Sequence, residues 1–385
     1  MPQNQRIMIT NPFIINGDIP SEYFCDRKEE SKKLTQMLTN GENVCLMSPR
    51  RMGKSKLIQF CYDQEPLCSD HYCFYIDIFH TTSLREFTYT FGRQVFSTLR
   101  SKSQKMTLWF VQALKSLSAD FGFDPSTGMP KFSLSLGDVH NPEFTLEEIF
   151  KALEQADKPC IVCFDEFQQI ANYPEKNIEA LLRGHIQHLG NANFIFSGSS
   201  RHLITQMFYS YARPFYNSTT SLTLDAISLE EYTKFATYWF NRFSKQIDPQ
   251  LIAQIYQVME RNTYYIHKTL HELFENTLEG ETCDTNLLPR IIDGMIEEQS
   301  NGYRQMLSLI PDRHKEVLFA IADAGKAEKI MGTQFIRRYS LPSASAVQSS
   351  VRKLMETDYV TFFEGVYSIP DVLFRMYLKR IGGKE

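Results

Sequence analysis

The chain has 385 residues, so at roughly 150 residues per domain it is expected to form two or three domains rather than one. With 43% apolar, 13% aromatic and 22% charged residues, its composition is that of a folded soluble protein, which excludes collagen-like, coiled-coil and wholly disordered classes. A net charge of −4 excludes a chain coated in positive charge throughout, yet residues 303–385 carry 13 Lys/Arg against 9 Asp/Glu while residues 1–302 carry 28 against 36.

The opening MPQNQRIMITNPF has no apolar stretch after a basic start, so no secretory leader is expected. The longest apolar runs fall far short of the ~20 residues that cross a bilayer, and a cytoplasmic address without a membrane partner is expected. The eight cysteines mostly sit in apolar runs. Cys160 and Cys163 are spaced as a CxxC, but PCIVCF is extended and turns the two thiols to opposite faces, so reduced core thiols are expected rather than a metal or redox pair.

From Tyr23 to about Leu224, short apolar runs alternate with amphipathic stretches: Val44–Met47, Tyr72–Ile78, Cys160–Phe164, Asn193–Phe196 and Ser221–Leu224. Runs that are apolar nearly throughout suit strands covered on both faces, so this part is expected to be an α/β domain with a parallel sheet. Residues of about 101–145 break the rhythm and read as an insertion, with DPSTGMP a turn cluster, FSLSLG alternating like an edge strand and DVHNPEF loop-like.

Residues 226–302 carry apolar positions three and four apart in EEYTKFATYWFNRF, LIAQIYQVMERN, YYIHKTLHELFEN and LLPRIIDGMIEEQ, which predicts a small helical domain. From 303 to 385, RHKEVLFAIADAG predicts a helix stopped by Gly325, GTQFIRRYS a short second helix and SASAVQSSVRKLMETD a third. YVTFF and VYSIP then form a hairpin through Glu364 and Gly365. Three helices and a hairpin in this order describe a winged helix-turn-helix.

Chemistry enters at SPRRMGKS, residues Ser48, Pro49, Arg50, Arg51, Met52, Gly53, Lys54 and Ser55, followed by Lys56. The segment joins the strand-like NVCLM to the helical KLIQFCYDQ, the context of a phosphate-binding P-loop. Backbone N–H groups at a helix N-terminus receive phosphate charge, Gly53 permits close approach, Lys54 reaches the β/γ-phosphates and the Ser55 hydroxyl can ligate Mg²⁺. The pattern departs from GxxxxGK[ST] at Ser48, whose side chain must avoid the positive φ that glycine tolerates. The alternative is a basic strand-to-helix turn with no ligand.

The run IVCFDEF is an apolar strand that ends in two acids. It places Asp165 at the strand's C-terminal edge to hold Mg²⁺ and Glu166 beside it as a general base, with helix capping as the alternative. At ANFIFSGSSRHL another strand ends in Ser197, Gly198, Ser199 and Ser200 ahead of Arg201, a candidate to sense the γ-phosphate or orient water; the alternative is a turn with a solvated arginine. Arg213 in YARPFYN is a further candidate, within the subunit or across to a neighbour as an arginine finger, or else a surface residue before the Pro214 turn.

YFCDRKEESKKL, SPRRMGKSKLI, IVCFDEFQQI, FIFSGSSRHLI and RPFY resemble, in this order, the archaeal-type P-loop ATPases, a family with bacterial members related to AAA+ and STAND ATPases. The resemblance covers nearly the whole chain. It implies an AAA+-like core in 1–225 (insertion about 101–145), a helical lid in 226–302, a winged helix in 303–385, and slow ATP hydrolysis used as a switch. It matches the family's opening motif through Arg27 and Glu29, makes Tyr23 and Phe24 candidates for the adenine pocket, and supports Arg201 as a γ-phosphate reader. In ERNTYYIHKTL, Asn262 and Tyr264 stand where relatives carry Gly and Pro, and His267 reads as a packing residue.

Three functions compete: an ATP-driven, Mg²⁺-dependent switch; a DNA-binding protein in which ATP sets affinity; and an ATPase relic that binds nucleotide without turnover. The second would use residues 343–353, with Ser343, Ser345, Gln348, Ser349 and Arg352 toward a major groove and Lys353 and the wing near phosphates. A homo-oligomer and a further protein partner are compatible with each.

Overall fold

The computed structural model describes residues 11–17, 19–102, 121–123, 130–132, 139 and 141–382. The FSLSLG run beyond Phe132 and the turn cluster before Pro130 lie outside them. The described residues divide into two compact units, one spanning Asp26–Asp225, the other formed by Ala226–Glu385 with the residues up to Cys25.

In the first unit the strands are β1 (Val44–Met47), β2 (Tyr72–Asp77), β3 (Phe121–Phe123), β4 (Pro130–Phe132), β5 (Cys160–Asp165), β6 (Ala192–Gly198) and β7 (Thr220–Thr223). Five of them form a parallel sheet in the order β2-β5-β6-β1-β7. Burial follows position: central β5 is buried at every residue, β2 at one edge alternates, and β7 at the other edge buries only Leu222. The sequence reading of strands covered on both faces therefore holds for the centre, while the edge strands bury only part of their residues.

Phenylalanines fill the space between sheet and helices. Phe164 of β5 meets Phe87 and Phe91 of the helix Leu84–Lys102 at ring distances of 5.2 and 5.0 Å, and Phe167 meets Phe196 at 4.6 Å. Each such ring contributes about 1.5–3 kcal/mol by leaving water. In the region of the insertion, β3 and β4 pair antiparallel, Phe121 opposite Phe132. Residues 142–144, expected to be loop-like, begin a helix instead: Asn141 caps Pro142–Glu154 by accepting from the Phe144 N–H at 3.2 Å, and Pro142 suits the first helical position, where no N–H is needed.

In the second unit, Ser228, Asp248 and Asn262 cap the helices Leu229–Arg242, Pro249–Val258 and Thr263–Glu275. Phe13 is wholly buried against Phe235, Phe240 and Phe274, so the described start of the chain packs here. The helix Leu287–Ser308 runs on through the expected boundary at 302/303. The helices Asp312–Ala324, Thr333–Arg338 and Ala344–Glu356 follow, with strands β8 (Ala327–Glu328), β9 (Thr361–Phe363) and β10 (Val366–Ser368) in a sheet ordered β8-β10-β9. Glu364 and Gly365 make the hairpin turn with φ of 48° and 84°.

A last helix, Val372–Gly382, had no counterpart in the sequence reading, and it ties the unit together. Tyr265 donates to Asp371 at 2.6 Å, Arg375 pairs with Glu260, and Arg380 pairs with Asp293. One continuous hydrophobic core runs from Phe13 through the lid helices to Leu378.

Candidate nucleotide site

The C-terminal edge of the parallel sheet gathers the polar groups of the first unit. β1 leads into the loop Ser48–Gly53 and then the helix Lys54–Tyr62. Gly53 caps that helix with φ 91°, and a Cβ there would meet nothing within 4 Å, so glycine is required by backbone conformation rather than by space. Arg51 shares the left-handed region at φ 65°, whereas Ser48 does not. Ser48 is fully buried and turns its hydroxyl to the Pro49 carbonyl at 3.0 Å, which is how the loop starts without its usual glycine.

Lys54 is 6% exposed, and its ammonium donates to the carbonyls of Ser48 and Pro49 at 3.3 and 3.5 Å. The lysine thus folds back across its own loop. Lys56 runs along its helix to Gln59 Oε1 at 3.1 Å. Arg27 is buried, pairs with Glu30 at 2.6 Å and donates to the Met52 carbonyl at 3.1 Å, clamping the loop from below. The sequence matched Arg27 to the family's opening motif without revealing this backbone contact.

Ser55 donates to Asp165 Oδ2 at 2.7 Å, across a sequence separation of 110 residues. Asp165 is 4% exposed; its other oxygen accepts from the Glu166 N–H at 3.1 Å, and the phenol of Tyr75 on β2 also donates to Oδ2. A hydroxyl and a carboxylate that converge in this way are hard oxygen donors and fit Mg²⁺. Glu166 sits in the left-handed region, φ 55°, which swings its side chain off the strand direction. Its Oε2 accepts from Gln168 Nε2 at 2.5 Å, Ser199 Oγ at 2.7 Å and Ser199 N–H at 3.3 Å, and Arg50 Nε donates to Ser199 Oγ at 3.3 Å.

The sheet order explains why these groups meet. β6 lies between β1 and β5, so its end, Ser197–Ser199, falls between the phosphate loop and the acid pair. Gly198 is held there sterically: a Cβ would lie 2.3 Å from Gln168 Oε1 and 2.7 Å from Ile204. Register also sets Asp77 opposite Asp165; burial first, then the charges of Asp165 and Glu166, push the Asp77 carboxyl up. Burial drives the Tyr75 phenol well above its ordinary range, with the Asp165 charge adding to it, so the hydroxyl stays protonated as a donor.

Not every sequence candidate joins this edge. Arg213 pairs with Glu179, a carboxyl that burial raises and Arg213 partly lowers. Arg201 opens the helix Arg201–Tyr209, and its side chain lies outside the described part. Tyr23 stacks on Trp239 at 4.5 Å in the second unit, to which Phe24 also belongs. His267 is buried beside Tyr232 and Phe235, as expected of a packing residue. Cys160 and Cys163 are free buried thiols, and burial pushes Cys160 up to about 12, which leaves it inert.

On the winged helix, Ser345, Gln348, Ser349, Arg352 and Lys353 line the exposed side of Ala344–Glu356, with Ser343 as its cap. No helix among the described residues is long and apolar enough to cross a membrane.

Comparison with known proteins bears on both units. Residues 301–380 match the family described as "Probable winged helix domain". Among solved structures, a Walker-type ATPase of Pyrococcus abyssi is similar with a TM-score of 0.65 and 18% identity, over 96% of this chain and 99% of that one. The ORC2 protein of Aeropyrum pernix, solved as ADPNP–ADP complexes, gives 0.60 and 13% over 97% and 98%; the ORC1 protein of the same organism, solved with DNA, gives 0.51 and 12% over 96% of each chain. No curated protein matches the sequence. The fold is accordingly that of a P-loop ATPase core followed by a helical lid and a winged helix. Residues 24–269, well over half of the chain, match the family described as "ATPase domain predominantly from Archaea", and the protein belongs to that family.

Proposed function

We propose that the protein binds ATP with Mg²⁺ at the edge formed by Ser48–Lys56, Asp165 and Glu166, and hydrolyses it slowly as a molecular switch. The observation that carries this reading is the convergence of Lys54, Ser55, Asp165 and Glu166 at one sheet edge, from segments more than a hundred residues apart. Lys54 exchanges its carbonyl partners for phosphate oxygens, and the loop N–H groups ahead of the helix receive the rest of the charge. Ser55 and Asp165 hold the metal, which when bound offsets negative charge on the phosphates. Glu166 accepts the proton of the attacking water once it has left Ser199 and Gln168.

Arg201 and Arg213 are proposed to meet the γ-phosphate, Arg213 after release from Glu179. The lid helices and winged helix share one core, so they are proposed to respond to nucleotide as a single body. Steady-state phosphate release from wild type and Glu166→Gln tests the proposal. Turnover is expected to fall about 10²–10⁴-fold in the variant while ATP binding is kept. Equal, background-level release from both would refute catalysis.

A second reading, ATP-regulated DNA binding, is favoured by the helix Ala344–Glu356. Its exposed side carries small polar residues and Arg352, suited to close approach to base edges. A gel shift with duplex DNA at low salt, with and without ATP, tests it, and Arg352→Ala should weaken any shift. Absence of binding in both conditions removes this reading.

A further inference from the structure

We infer that Tyr75 is a positioning residue for the metal: its phenol fixes the Asp165 carboxylate so that one oxygen is kept for Ser55 and the other is turned to the cation's hydration shell. This rests on the ATPase reading of the same site and extends it to a residue on the neighbouring strand. Tyr75 lies on β2, paired in register with Cys163, two residues before Asp165 on β5. Its hydroxyl therefore reaches along the sheet edge to Asp165 Oδ2, the oxygen that also accepts from Ser55 at 2.7 Å.

A carboxylate oxygen has two lone pairs in its plane, and two donors occupy them. With Oδ2 filled by Ser55 and Tyr75, the carboxylate cannot spin, and Oδ1, which accepts from the Glu166 N–H at 3.1 Å, keeps one lone pair for a metal-bound water. Without the phenol, an oxygen of this buried carboxylate, on a residue 4% exposed, keeps a lone pair that bulk water does not readily reach. Asp165 is then free to rotate out of this orientation or to draw Ser55 away. Since Tyr75 makes this contact through the outermost atom of its side chain, Tyr75→Phe removes the donor and leaves the ring.

The test is Mn²⁺ binding followed by electron paramagnetic resonance, in the presence of a non-hydrolysable ATP analogue, for wild type and Tyr75→Phe. Mg²⁺ titration of phosphate release and analogue binding without metal accompany it. Tyr75→Phe is expected to weaken Mn²⁺ binding about 10-fold or more and to raise the Mg²⁺ concentration for half-maximal turnover similarly, with metal-free analogue affinity unchanged. Tyr75→His, which keeps a ring N–H, is expected to fall between the two and covers the case in which the phenylalanine variant does not fold. Mn²⁺ binding within two-fold of wild type in a folded variant overturns the inference, as does an equal loss of metal-free analogue binding, which marks a merely structural role. A wild type that binds the analogue but takes up no Mn²⁺ alongside it overturns the Mg²⁺-dependent ATPase reading itself, an outcome distinct from failure of Tyr75 alone.

Discussion

The two units each bury a basic side chain, and they treat it in opposite ways. In the first unit, Lys54 is 6% exposed at the end of a strand, with its ammonium drawn onto loop carbonyls. In the second, His267 is 8% exposed between Tyr232 and Phe235, where burial pushes its imidazole down to about 4 and leaves it neutral. A buried amine held by loop carbonyls at the end of a strand is placed for an anion, whereas a buried imidazole that has lost its charge among aromatic rings contributes volume and packing. Burial of a basic residue thus points to a functional position only together with what its polar atoms face.

Replacing each residue separates these roles. Lys54→Ala should lower ATP affinity and turnover about 100-fold or more, since charge-assisted hydrogen bonds to phosphate contribute about 1.5–3 kcal/mol each. The thermal midpoint should change less than ATP binding, because the Ser48 and Pro49 carbonyls left behind are neutral. Calorimetric ATP binding together with a melting curve checks both, and a melting loss without a binding loss would make the lysine a loop brace.

His267→Phe should act on stability and leave ATP binding alone. Its folded-state value, about 4, lies below the ordinary 6.5, so the unfolded chain binds a proton that the folded one refuses. The associated stability is fully present above pH 6.5 and is lost as pH falls from 6.5 through 4, by about 3 kcal/mol at most. Melting temperatures measured across that window should fall less steeply in His267→Phe than in wild type. An unchanged slope would mean that His267 is already protonated in the folded protein.

What was legible in the sequence was what local pattern determines. The five strands of the main sheet follow from short apolar runs, and Gly53, Lys54 and Ser55 follow from one contiguous motif between a strand and a helix. Asp165 and Glu166 stand out because two acids end an otherwise buried strand. Tyr75 and Asp77 gave no such signal, since their meaning depends on the register of β2 against β5. The Ser199–Glu166 contact depends on β6 lying between β1 and β5, a fact of strand order that no single segment carries. Arg213 met Glu179 for the same reason: the pair is set by tertiary packing across 34 residues. The last helix was missed because nothing in the wing hairpin announces it, although Asp371, Arg375 and Arg380 make the polar links of the second unit.

The helix Leu287–Ser308 also governs how the protein can be cut into pieces. Tyr303, in its last turns, rests against Phe374 and Tyr377 at 5.1 and 5.4 Å. A fragment that starts at 303 would begin inside a helix and hold Tyr303 on a frayed end, leaving those two rings poorly covered. A winged-helix piece meant for separate DNA-binding work should begin at or before Leu287, and a lid piece ending at 302 would be severed in mid-helix.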